Sequence, residues 1–407
     1  MLSIIINAYA CSPNMGSEPG MAWNWCVNLA KYCELHIITE GEFRNNIEAI
    51  LPTLPQGGNM HFYYNPVSEE IRKMCWNQGD WRFYKYYKEW QWKTYLMAKE
   101  ICQQTHIDIL HQLNMIGFRE PGYLWKIENI PFVWGPVDAK ESFPIAYLEG
   151  ASIKTKLFMW LKNTITKFQL KYSTRVHKAT KRASYVVSAS SNSQLSFKKY
   201  FNIDSPLINE TGCYVQEHSI KDKSDKDLFD ILWVGKLDFR KQLGLAIRSI
   251  AETNNRNIKL HIVGGGDNSY YLELTKRLKI ENQCIWHGAV SHDEVQKIMQ
   301  NSDVFFFTSV AEGTPHVVLE AIANNLPVVC FNTCGQGDSV NSKVGIKIEL
   351  SNPETSVKEF SKILNKLENN RKLLYDMAQK CNARQKELSW DKKIQDMIEL
   401  YNKDLNK

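Results

Sequence analysis

Two glutamates eight positions apart bracket the segment Glu312-Gly-Thr-Pro-His-Val-Val-Leu-Glu320, directly after the apolar run VFFFTS. The spacing predicts Glu312 in a loop and Glu320 inside the helix that follows. A helix N-terminus offers free N–H groups and the positive end of a dipole, a ready site for a diphosphate. Glu312 can hydrogen-bond sugar hydroxyls ahead of that terminus, and Glu320, two turns on, can reach a ribose diol. Taken alone, such a pair is more often a surface glutamate and a helix-face glutamate. A second segment, Trp233-Val-Gly-Lys-Leu-Asp-Phe-Arg-Lys241, ends a strand at Gly235 and follows it with Lys236, Arg240 and Lys241. Cations at the carboxyl end of a strand can neutralise a leaving diphosphate, where one well-placed group contributes about 3–4 kcal/mol. The plainer reading is a solvated basic turn. A third segment, Ala10-Cys-Ser-Pro-Asn-Met-Gly16-Ser-Glu-Pro-Gly20, puts glycines after the first strand, where backbone can approach a ligand closely. It is not G-x-G-x-x-G, and neither is Gly264-Gly-Gly-Asp267, so the dinucleotide fingerprint of an NAD or FAD enzyme is missing. No Walker sequence occurs either, which argues against a nucleotide hydrolase.

The elements that would position these residues alternate between short apolar runs and helical patterns, the mark of parallel α/β sheets. Strands are expected at Ser3–Ala8, Leu35–Thr39, His61–Tyr64, Ile107–His111, Pro131–Trp134 and Tyr185–Ala189, with a first crossover helix over Gly20–Lys31. The polar, broken stretch Asn202–Asp230 reads as a linker. A second series follows at Ile231–Val234, Lys259–Val263, Cys284–His287, Val304–Thr308, Pro327–Phe331 and Gly345–Ile348. Helices are expected between them at Leu243–Glu252, Tyr270–Leu278, Asp293–Gln300 and Val317–Ala323, and the chain beyond about Ser351 reads as helical. The fold class is therefore α/β, with two Rossmann-like doubly wound domains facing across a cleft. The first takes residues 1–205 and is completed by a terminal helix over about 386–407; the second takes 206–385.

Length and composition agree with two soluble domains: 407 residues, 43% apolar and 23% charged. No apolar run reaches the roughly 18–20 residues of a membrane span, and the N-terminus lacks a basic leader. Ten scattered cysteines without a C-x-x-C pair read as reduced structural thiols in the cytoplasm, with no metal site.

In order and combination these segments resemble the retaining glycosyltransferases of the GT-B fold, family four (glycosyl transferases group 1). The resemblance extends to Asp108-Ile-Leu-His-Gln112, Gly117-Phe-Arg-Glu-Pro-Gly122, Pro131-Phe-Val-Trp-Gly-Pro136 and Ser389-Trp390, nearly the whole chain. It implies that Glu312 binds donor-sugar hydroxyls, Glu320 the ribose, and the N–H groups of His316 and Val317 the diphosphate, with Gly313, Thr314 and Arg240 also lining the donor. Lys236 and Lys241 would stabilise the leaving diphosphate, Gly16 would touch it from the first domain, and His111, at a strand end, would face the reacting sugar. The donor would be a UDP- or GDP-sugar, with no separate cofactor and no metal. The implied reaction is a hexosyl transfer in which the leaving phosphate takes the acceptor's proton. The family commonly has arginine where Lys236 stands; lysine keeps the charge and loses the fork. Asp138-Ala139 stand where relatives are often glycine-rich.

The net charge of +6 is unevenly spread, since no acidic residue lies between Glu149 and Asp204. Lys154, Lys156, Lys162, Lys167 and Lys171 alternate there with Leu157, Phe158, Trp160, Ile165 and Phe168. Upstream, Trp76–Tyr95 holds Trp81, Phe83, Tyr84, Tyr86, Tyr87, Trp90 and Trp92 among lysines. Basic helices with an aromatic face rest in membrane interfaces; the alternative is a core-facing amphipathic helix with a solvated basic side. The expectation is peripheral contact with the inner face of the plasma membrane, a lipid-linked glycan acceptor of bacterial surface polysaccharide assembly, and no nucleic-acid partner. A glycoside phosphorylase or a sugar-nucleotide epimerase-hydrolase on the same scaffold, and a non-catalytic sugar-nucleotide-binding membrane scaffold, are the rival readings.

Overall fold

Aliphatic runs without polar alternation form strands covered on both faces, and Ile4, Ile5 and Ile6 are all fully buried. The computed structural model describes residues 1–77, 80–148, 151–220 and 226–405. The expected strands β1 (Leu2–Ala8), β2 (Cys33–Thr39), β3 (Met60–Tyr64), β4 (Ile109–Asn114), β5 (Phe132–Val137) and β6 (Tyr185–Ser188) form one parallel sheet, ordered β3-β2-β1-β4-β5-β6. A second parallel sheet holds β7 (Phe229–Val234), β8 (Ile258–Val263), β9 (Cys284–Gly288), β10 (Val304–Phe307), β11 (Val328–Phe331) and β12 (Gly345–Ile348), ordered β12-β11-β10-β7-β8-β9. Both are doubly wound, with the order reversing between first and fourth strands.

Boundaries moved where polar residues turned out to be buried. β4 runs on to Asn114, past the expected end at His111, because Gln112 and Asn114 find partners inside. Asn7 Nδ2 donates to Gln112 Oε1 at 2.8 Å, and Asn114 Nδ2 to Ala10 O at 2.8 Å. The first crossover helix begins earlier than expected, at Ser17, and ends at Leu29.

The chain divides into one unit of Met1–Glu141, Lys167–Thr211 and Trp390–Lys407, and another of Ser142–Thr166 and Gly212–Ser389. Residues 142–166, expected in the first domain, group with the second. Phe143, Tyr147, Leu148 and Met159 are buried in that unit's core, and Tyr147 Oη lies 2.8 Å from Ser356 Oγ. The terminal helix Trp390–Leu405 belongs to the first unit, where Trp390, Ile394, Met397 and Tyr401 are buried and Trp390 meets Trp25 edge-on at 5.7 Å.

Candidate active site

Doubly wound sheets place ligands beyond the carboxyl ends of their strands, where the order reverses. In the second unit that point lies between β7 and β10. The loops leaving these two strands carry Lys236–Lys241 and Ser309–Thr314. They are joined by their backbones: Val310 N donates to Arg240 O at 3.0 Å, and Thr308 Oγ1 donates to Lys241 O at 2.8 Å. Trp233 Nε1, from β7, donates to the same threonine at 3.0 Å.

Lys241 Nζ lies 2.6 Å from Glu312 Oε1, with the two side chains 17% and 16% exposed. Ser309 Oγ donates to the same carboxylate oxygen at 2.5 Å. Arg240 is tied to Asp238, Nη2 to Oδ2 at 2.8 Å and main-chain N to Oδ1 at 2.9 Å. Burial raises the Asp238 carboxyl, but the hydrogen bond and charge of Arg240 outweigh it and hold the group below the ordinary carboxylate value. Lys236 is exposed at the start of the loop.

Thr314 is buried, and Pro315, which has no N–H, caps the helix His316–Ala323. His316 and Val317 are therefore the first residues after Pro315 that carry a main-chain N–H. Its buried face, Val318, Leu319, Ala321 and Ile322, fixes the helix against the sheet. Glu320, on the half-exposed side, lies 3.5 Å from His292 Nε2 and accepts from Gln296 Nε2 at 3.4 Å, both from the helix His292–Asn301. Gly264 has φ +147°, and a Cβ there would stand 1.8 Å from Gly235 O. The glycine run 264–266 thus lets two strand ends meet.

In the first unit, Gly16 is the exposed N-cap of the helix Ser17–Leu29, following β1. Two residues on, Glu18 Oε1 accepts from Ile116 N at 3.1 Å, and burial pushes this carboxyl up to about 7. Burial also raises the Asp138 carboxyl, beyond the end of β5. His111 corrects the expectation of a group at a strand end facing a sugar. It lies inside β4, fully buried, with Nε2 against Gly135 O and Nδ1 2.6 Å from Tyr401 Oη. Burial pushes it down to about 4, and both ring nitrogens are already engaged.

Spacing brought Glu312, Lys241, Arg240, Gly313 and Thr314 to one place and passed over others. Asp238 stands among the cations and was legible as their partner. Ser309, His292 and Gln296 carried no signal in sequence, since their role depends on neighbours from other segments. Among the described residues no group of three His, Cys, Asp or Glu could hold a metal ion.

The helix Ile153–Tyr172 carries Lys154, Lys156, Trp160, Lys162, Lys167 and Lys171. Only its Met159, Thr166 and Leu170 are buried, while Ile153 is 84%, Phe158 60%, Trp160 55% and Phe168 63% exposed. At about 100° per residue, Leu157, Leu161, Ile165, Phe168 and Tyr172 fall opposite the buried stripe, with Lys156, Lys162 and Lys167 on its flanks. The apolar residues are thus not core-facing. No described helix is long and apolar enough to cross a membrane.

Residues 215–386 match the family described as Glycosyl transferases group 1. An uncharacterized glycosyltransferase of Methanocaldococcus jannaschii is 34% identical over 128 residues, 31% of this chain and 33% of that protein. The N-acetylgalactosamine-N,N'-diacetylbacillosaminyl-diphospho-undecaprenol 4-alpha-N-acetylgalactosaminyltransferase of Campylobacter jejuni is 34% identical over 117 residues, 28% of this chain and 31% of that protein. The matched part is about a third of the length of these curated relatives. Anabaena Alr3699/HepE, solved in complex with UDP, superposes with a TM-score of 0.60 at 15% identity, covering 98% of this chain and 99% of that one. The two separate α/β domains, each with a six-stranded parallel sheet, have the GT-B fold.

Proposed function

We propose that this protein is a retaining, metal-independent glycosyltransferase of family four. It would move a hexosyl group from a UDP- or GDP-sugar to a lipid-linked glycan acceptor in bacterial surface polysaccharide biosynthesis. The observation that carries the reading is the Glu312–Lys241–Ser309 cluster ahead of the helix His316–Ala323, at the switch point of the sheet in the matched domain. The donor's diphosphate lies against the N–H groups of His316 and Val317, near Lys241, Arg240 and Lys236. Glu312 holds sugar hydroxyls, and Glu320, steadied by His292 and Gln296, holds the ribose. The acceptor oxygen attacks the anomeric carbon as the bond to the diphosphate breaks, and the leaving phosphate oxygen takes the acceptor's proton. The protein's contribution is positioning and charge stabilisation. A UDP complex in a structure of the same fold and a diphospho-undecaprenol acceptor in the name of a relative support the donor and acceptor classes.

The outward apolar, lysine-flanked face of Ile153–Tyr172 supports a cytoplasmic protein resting on the inner face of the plasma membrane.

The test is transfer of radiolabelled sugar to lipid extract. Glu312→Ala should lower transfer at least 100-fold, comparable to loss of one oxyanion-site donor, with an unchanged circular dichroism spectrum. Full activity in that variant would sink the assignment. Release of a sugar phosphate that needs inorganic phosphate would make the protein a phosphorylase.

A further inference from the structure

The loop that carries Glu312 is held from one side by three consecutive residues, Cys334, Gly335 and Gln336, at the start of the short helix Cys334–Ser339 that follows β11. Gln336 Nε2 donates to Ser309 O at 3.0 Å. Gly335 N donates to Gly313 O at 3.0 Å, and Glu312 N points at Cys334 Sγ at 3.5 Å. The strap thus grips the loop at its first residue, at the carboxylate-bearing residue and at the residue after it.

Each grip has a local cost that packing alone does not explain. Gln336 is fully buried, and a buried amide is unfavourable unless it is hydrogen-bonded; here its donor is spent on one main-chain carbonyl of the loop. Cys334 has φ +54°, in the left-handed region that non-glycine residues rarely occupy. A Cβ at Gly335 would stand 2.5 Å from Thr314 Cα, so the approach of the two chains requires glycine there.

We infer that Gln336 is a positioning residue for Glu312, acting through Ser309. Ser309 is where the strap and the carboxylate meet: its carbonyl accepts from Gln336 and its hydroxyl donates to Glu312 Oε1. Losing the amide frees the carbonyl, lets the start of the loop shift, and turns the Ser309 hydroxyl away from Glu312. Small misplacements of this kind are expensive in a site that works by orientation. The inference rests on the role proposed above for Glu312, but its first readout does not need activity.

That readout is hydrogen exchange in the full chain carrying Gln336→Met, which keeps size and removes the donor. Exchange of residues 308–315 should rise at least tenfold while the rest of the second unit keeps its protection. Where transfer is measurable, kcat should fall at least tenfold and the affinity for the free nucleoside diphosphate should stay within twofold. The effects of Gln336→Met and Ser309→Ala on kcat should be less than additive, because both act on one carboxylate. Unchanged exchange in 308–315, or loss of protection spread evenly over the unit, would overturn the inference. If Gln336→Met does not fold, Gln336→Leu, which also removes the donor, is read by the same criterion. A chain that transfers no sugar yet shows the local exchange effect would fail the functional proposal and keep the strap.

Discussion

Glu18 holds its proton more tightly in the folded chain than an ordinary glutamate does, because burial disfavours its charged form. Its folded value, about 7, lies above the ordinary 4.5. The fold therefore binds more protons than the unfolded chain between those values, and stability falls as pH rises through that window. Relative to Glu18→Gln, the wild type should lose about 2–3 kcal/mol between pH 4.5 and pH 7, then hold a constant gap above it. Melting temperatures of the two proteins at pH 5 and pH 8 check this, and an equal gap at both would refute it. Lys241 and Glu312 illustrate a different point at the same scale. Each was singled out for a separate role, yet in the structure they are one partly buried ion pair. A ligand anion must compete with Glu312 for Lys241, so the two residues will not behave independently in mutagenesis.

At the scale of elements, the terminal helix has the largest consequence for the first unit. Trp390, Ile394, Met397 and Tyr401 are each at most 2% exposed. Each contributes roughly 1.5–3 kcal/mol by burial, a sum comparable to the 5–15 kcal/mol of a typical domain. Truncation after Ser389 should leave the first unit unfolded, seen as loss of near-ultraviolet dichroism and rapid proteolysis of residues 1–141. A truncated chain with native protection would show that the helix is dispensable. Tyr401 also hydrogen-bonds His111, so an element more than 200 residues downstream fixes the ring that sequence alone placed at an open strand end. The loops after β7 and β10 follow the same logic: beside the bonds each makes within itself, donors of the β10 loop are met by main-chain carbonyls of the β7 loop.

At the scale of the whole molecule, the helix Ile153–Tyr172 is the chief surface anomaly, since exposed apolar residues in one contiguous face mark an interaction site. The full chain should sediment with vesicles containing anionic lipid and not with neutral ones. Reversing Lys156, Lys162 and Lys167 to glutamate should weaken binding at least tenfold at low salt, given about 1 kcal/mol per cation near such a surface. A blue shift of Trp160 fluorescence on binding would place the apolar face in the lipid. Dimerisation through the same helix, with no vesicle binding, would reassign the face to a second copy. What the sequence determined by itself is the set of twelve strands, the two α/β series and the gathering of Glu312, Arg240 and Lys241. Those follow from local periodicity and from the rule that doubly wound sheets bind at strand ends. Tertiary structure alone decided that His111 is sealed inside β4, that residues 142–166 belong with the second unit, and that Glu312 is held by Ser309 and the start of the helix Cys334–Ser339. It also decided which face of the lysine-rich helix is buried. Burial and long-range hydrogen bonds depend on partners far away in the chain, and no spacing within a segment encodes them.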